Sequence, residues 1–103
     1  MKLANFCMSL NKTNEIFLID FGISGPYIIN GKHITNERKH TKVAGTIYYN
    51  SINTHLLNEW SRRDDMEALG YCLSYMLFGH LPWTTISAKS KDELRNKILE
   101  LKF

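Results

Sequence analysis

Two short apolar runs near the start of the chain, Asn5 to Met8 and Ile16 to Ile19, read as strands. The polar stretch Ser9-Leu10-Asn11-Lys12-Thr13-Asn14 between them has turn chemistry. A β-hairpin is predicted, ending in Asp20-Phe21-Gly22. Residues 23 to 46 show no clean period; Gly25-Pro26 and Asn30-Gly31 are turn signals, and the stretch reads as one long irregular loop. A loop of that length inside a compact domain is usually functional or mobile.

Ser51 to Leu57 reads as a short helix, and the strongest helix begins after Ser61. Ser61-Arg62-Arg63-Asp64 has the capping-box form, in which a hydroxyl and a carboxylate satisfy orphan amides of the first turn. Met66, Leu69, Leu73, Met76 and Leu77 form an apolar stripe, and residues 68 to 78 are nearly apolar all round. A helix without a polar face is predicted to be central and buried, covered on all sides. Gly79 supplies its stop, and Pro82 prevents continuation. Lys91 to Phe103 is amphipathic, with Leu94, Ile98 and Leu101 on one side, and reads as a surface helix. The predicted fold class is therefore mainly α with a short β-hairpin. A hairpin, a loop and two modest helices are thin cover for the central helix. Further helices are expected to pack on it, and the chain alone is expected to fold incompletely or dissolve poorly.

Composition narrows the classes. The 103 residues suffice for one small domain, and 44% hydrophobic with 22% charged residues is a globular balance. The net charge of +3 is a mild basic bias without a basic arm, so nucleic acid is not the expected partner. No apolar run has the length of a membrane span, and the start has no secretory h-region. Cys7 and Cys72 are far apart and match neither a disulfide framework nor a zinc pattern. They read as reduced, mostly buried thiols of an intracellular protein, cytoplasmic or nuclear.

Asp20-Phe21-Gly22 follows a strand directly; alone, it occurs by chance in roughly one chain in a hundred of this length and can be an ordinary strand-end turn. A functional role needs a second hard oxygen nearby, because Mg²⁺ on nucleotide phosphates takes oxygen ligands and keeps several waters. The predicted hairpin brings Asn5 to the same end as Asp20, which makes a shared metal feasible.

Other segments extend the pattern. Met1-Lys2-Leu3-Ala4-Asn5-Phe6 resembles the end of the protein-kinase catalytic loop, H-R-D-x-K-x-x-N, and Val43-Ala44-Gly45-Thr46 resembles the loop that seats the substrate hydroxyl. Ser51-Ile52-Asn53-Thr54-His55-Leu56, Ser61 to Tyr71, and Leu81-Pro82-Trp83 resemble the casein kinase I family in order and spacing. The vaccinia-related kinases are similar too, but Ser51 to His55 and the Asp64-Asp65 pair favour casein kinase I. The likeness covers about residues 1 to 95.

This resemblance implies a partial kinase domain over 1–103, running from the end of the catalytic loop to the helix after Leu-Pro-Trp, without the N-lobe. It implies that Asp20 and Asn5 hold Mg²⁺ on the nucleotide phosphates. Lys2 neutralises charge on the transferred phosphoryl group, and Thr46 bonds near Lys2 and the base. Asp65 fixes the catalytic loop; its plainer role is a first-turn acid favoured by the helix dipole. Arg38 falls at an anion-binding position for acidic or already phosphorylated protein substrates, its plainer role being a solvated loop charge. Mg-ATP is the implied cofactor of a complete kinase, with none bound tightly by this chain alone.

The likeness also breaks. In the family pattern the proton-accepting Asp lies two residues before the lysine, and Lys2 is preceded only by Met1. The Gly-rich loop, the strand lysine with its Glu partner, and the adenine hinge are also missing. Ala4 and Leu3 stand where Asp and Pro are usual, and Tyr48 stands for an Arg, which weakens the anion site. The expectation is a Ser/Thr kinase fragment that is inactive by itself, with the missing kinase segments as partner. The alternative is a pseudokinase-like, non-catalytic binding or scaffold relic.

Overall fold

A computed structural model describes residues 1–35 and 39–103. A 3-10 turn at Leu3–Asn5 leads into strands β1 (Phe6–Met8) and β2 (Ile16–Leu18), followed by β3 (Ile28–Ile29) and β4 (Lys32–His33). A second 3-10 turn, Ile47–Tyr49, precedes helices α1 (Ile52–His55), α2 (Arg62–Phe78) and α3 (Lys91–Lys102). The described residues thus form a small mixed α/β structure of three α-helices and two antiparallel hairpins. No helix among them is long and apolar enough to cross a membrane.

The first hairpin forms as predicted, with Phe6 opposite Leu18, Cys7 opposite Phe17 and Met8 opposite Ile16. The second corrects the reading of 23 to 46 as irregular. Ile28 pairs with His33 and Ile29 with Lys32. Asn30 (φ 51°) and Gly31 (φ 72°) both take left-handed backbone, the demand of a two-residue type I′ hairpin turn. The strands are only two residues each, too short for a period to register. Tyr27 ties this hairpin to the rest, its ring lying 4.6 Å under the Arg62 guanidinium at the start of α2.

α2 has the predicted ends. The Asp64 carboxylate accepts the Ser61 N–H at 2.8 Å, and Gly79 closes the helix in left-handed conformation with its N–H on the Tyr75 carbonyl. Its predicted complete burial is overturned. Asp64, Ala68 and Cys72 are buried, with Tyr71 and Tyr75 partly so. Met66, Leu73, Met76 and Leu77 are at least half exposed. Nothing in the described chain reaches that side. Cys7 also departs from its predicted burial: it is exposed on β1, and both thiols are free.

The core sits at the other end. Leu81, Trp83 and Ile98 are buried together, flanked by Ile47, Tyr48, Tyr49, Tyr71, Tyr75, Ile86 and Leu94. Trp83 donates its indole N–H to the Tyr48 carbonyl at 2.8 Å and meets Tyr71 edge to face at 5.1 Å. α3 contributes Ile98 and Leu94, as its apolar side predicts, whereas Leu101 is about half exposed. Ser90 caps α3 by accepting the Glu93 N–H, and Glu93 pairs with Lys97 one turn on.

The join between α1 and α2 is polar and buried. The Ser51 hydroxyl accepts the Thr54 N–H, capping α1, and donates to Asp64. Glu67 accepts both the Ile52 N–H at 2.9 Å and the Tyr71 phenol at 2.7 Å. Burial and that carboxylate hold the Tyr71 proton on, raising its pKa. Asp64→Ala removes the acceptor of the Ser61 amide and the charged partner of the buried Ser51 hydroxyl, so it is expected to lower unfolding free energy by about 2–4 kcal/mol in a urea titration. The neighbouring Asp65→Ala, at an exposed site, should stay within about 0.5 kcal/mol of the parent. Equal effects of the two changes would contradict the role of Asp64.

Candidate functional site

A depression of about 620 Å³ lies where the first hairpin, the Ala44–Thr46 loop and the start of α2 converge; its lining includes Lys2, Asn5, Asp20, Thr46, Asp64 and Asp65. Lys2, Asn5, Asp20, Thr46 and Asp65, singled out from distant parts of the sequence, therefore line one depression. Arg38, the predicted anion site, lies outside the described residues.

The hairpin register brings Asn5 and Asp20 together. The Ile19 N–H donates to the Asn5 carbonyl at 2.8 Å, leaving Asp20 one residue beyond the pair. Asn5 is buried and locked by a reciprocal turn. Its N–H donates to the Lys2 carbonyl at 3.0 Å, while its side-chain Oδ1 accepts the Lys2 N–H at 3.1 Å. That holds the amide plane and leaves Oδ1 one further acceptor position. Asp20 is exposed and takes left-handed backbone at φ 66°. A non-glycine residue stores strain there and is over-represented at functional sites.

The donor set suits only one kind of metal role. A carboxylate and an amide oxygen are hard ligands of the type Mg²⁺ takes, and two of them suffice for a cation shared with phosphate and water, not for an all-protein cage. Among the described residues no cluster of three His, Cys, Asp or Glu side chains could hold a metal by itself.

The second wall is set by Asn50. Gly45 has φ 81°, and a Cβ there would lie 2.9 Å from the Asn50 side-chain oxygen. The same Asn50 amide donates to the Ala44 carbonyl at 2.9 Å, and Tyr49 N–H closes a turn on the Thr46 carbonyl. This buried residue positions Thr46, and the sequence offered no signal for it, because an Asn beside a turn is ordinary. Asp65 lines the depression exposed, whereas its neighbour Asp64 is buried and makes the structural bonds.

A third edge holds Glu59 and Trp60. His40 stacks on the Trp60 ring at 4.0 Å, with its Nε2 3.6 Å from Glu59 and its N–H on the Leu57 carbonyl. Lys39 bridges to Asn58. These contacts tie the segment after the loop to the turn between α1 and α2. Chemically, the depression offers a lysine, two hard oxygens, a hydroxyl and a carboxylate. No known protein-family model matches the chain.

Gly45→Ala combines a close approach with a backbone conformation that L-residues rarely adopt. It is expected to cost about 1–2 kcal/mol of stability and to shift the amide resonances of 44–46 and Asn50. An unchanged melting curve and unchanged spectrum would contradict the Gly45–Asn50 packing.

Proposed function

We propose that this chain is part of the C-terminal lobe of a Ser/Thr protein kinase similar to casein kinase I. The observation that carries the reading is the convergence of Lys2, Asn5, Asp20, Thr46 and Asp65 on one depression. Chance matches to short motifs have no reason to meet in space. Mg-ATP, when bound, supplies the phosphoryl group that is transferred to a protein hydroxyl. Asp20 and Asn5 would hold the metal through their oxygens. Lys2 would place a positive charge beside the transferred group, where charge develops. Thr46 orients the hydroxyl side of the site. Asp65 is left facing outward with its carboxylate available to backbone amides of the catalytic loop. An acidic or phosphorylated protein substrate follows from the family likeness.

The second reading is a non-catalytic binding or scaffold module. Ala4 and Leu3 favour it, as does the apolar surface on both the first hairpin and α2, since large exposed apolar areas mark interaction sites. The intact Lys2, Asn5 and Asp20 favour the kinase reading.

Two measurements separate them. With Mn²⁺ and ATP added to the labelled chain, paramagnetic broadening is expected at the Asn5 and Asp20 amides and is expected to vanish in Asp20→Ala. Broadening no stronger than at a surface acid such as Asp92 would favour the scaffold reading. In a radiolabelled ATP assay with casein, the 103-residue chain is expected to transfer no phosphate, because no residue in it occupies the base position. Transfer that disappears in Asp20→Ala would overturn that expectation.

A further inference from the structure

Beside α1, on the backbone of Asn50, a cation is held against two aromatic rings. Lys102, the last residue of α3, places its Nζ 4.2 Å from the Tyr71 ring centroid and 4.7 Å from that of Trp83. It donates to the Asn50 carbonyl and lies 3.5 Å from the Tyr48 carbonyl. Its remaining neighbour is His55 Nε2, at 3.3 Å.

That contact dictates the state of the histidine. An ammonium carries three donors and no lone pair, so Nε2 must accept, and the neutral ring must keep its proton on Nδ1. His55 is only 2% exposed, and its Nδ1 finds no hydrogen-bond partner. The Ile47 carbonyl favours the proton there but does not reach hydrogen-bond geometry. The charged groups around the pair come from each packed element: Arg95 from α3 acts on His55, and Glu67 from α2 acts on Lys102. The Tyr71 phenol is held neutral, and Trp83 carries no charge. Two cations therefore act on the ring, its acceptor nitrogen is taken by the ammonium, and the one carboxylate acts on Lys102 instead.

We propose that the His55–Lys102 contact is an acid-sensitive latch: a proton on His55 Nε2 expels the Lys102 ammonium and frees the last turn of α3 from the Tyr71–Trp83 cage. Protonation removes the acceptor and sets two positive charges at hydrogen-bond distance in a partly desolvated site. The sign follows from the shifts. Burial first, then Lys102 and Arg95, push His55 down from 6.5 to about 4. Opening restores its ordinary affinity, so proton uptake accompanies opening, and acid favours the open form as pH falls from 6.5 towards 4. Burial likewise pushes Lys102 down to about 8, offset in part by Glu67. The closed form thus sheds that proton more readily, and alkaline pH tightens the latch.

The test is amide hydrogen exchange of the whole chain, corrected for intrinsic rates. Between pH 7.5 and 5, protection at 99–102 is expected to fall roughly 30-fold relative to α2 amides at 66–76. In His55→Gln, which cannot take the proton, the relative protection is expected to be flat over that range. Lys102→Met, which removes the opposing charge but not the burial, should show a smaller fall, and His55 should titrate closer to its ordinary value by NMR. Parallel loss of protection in α2 and α3, no loss at all, or an acid response undiminished in Lys102→Met overturns the proposal.

Discussion

The Asp64 carboxylate serves the N-termini of two helices at once. One oxygen takes the Ser61 amide at the start of α2, and the other takes the Ser51 hydroxyl that caps α1. A four-residue helix such as α1 cannot persist on its own backbone bonds, because fixing the first turn is costly and leaves most of its amides unpaired. Asp64 and Glu67, one turn apart on α2, supply what α1 lacks. With α1 fixed, the 3-10 turn that precedes it is fixed as well. Ser51 is adjacent to Asn50, and Asn50 sets the loop carrying Gly45 and Thr46. The wall of the candidate site is thus a downstream effect of one buried acid.

Much of this was legible in the residues. The capping box at Ser61 to Asp64, the stop at Gly79, the first hairpin and the apolar side of α3 each have a local chemical reason, and local reasons survive folding. The meeting of Asn5 with Asp20 followed from the hairpin register alone. The orientation of α2 did not follow. Both of its sides are apolar, so periodicity could not say which one faces the core. The chosen side is the one with Ala68 and Cys72, small enough for close approach, together with the tyrosines whose rings fill the core. The leucine and methionine stripe is left outside. The second hairpin was hidden by its brevity, although Asn30-Gly31 is the strongest two-residue signal for such a turn. Cys7 was misjudged because a thiol is usually buried, and here it sits on a strand of a hairpin exposed along most of its length.

The exposed apolar side of α2 and the exposed first hairpin belong together in one physical account. A side chain buries only against something within reach, and the core cluster of Leu81, Trp83 and Ile98 covers only one side of α2. Either reading of function accommodates this. A kinase lobe carries further helices, and a binding module carries a partner. The depression holding Lys2, Asn5 and Asp20 lies between the uncovered hairpin and the first turn of α2, so whatever covers those surfaces also becomes part of its rim.

The molecule measures 43 × 43 × 21 Å, and its radius of gyration of 15.1 Å exceeds the ~13 Å of a compact chain of this length. A plate about two helices thick has little interior. Its order rests on directional bonds such as those of Asp64 and Glu67 more than on apolar area withdrawn from water. Apolar hydration is what gives unfolding its large heat-capacity change. The stability of this chain should therefore vary unusually little in slope across the temperature range, a shallow dome in place of a steep one.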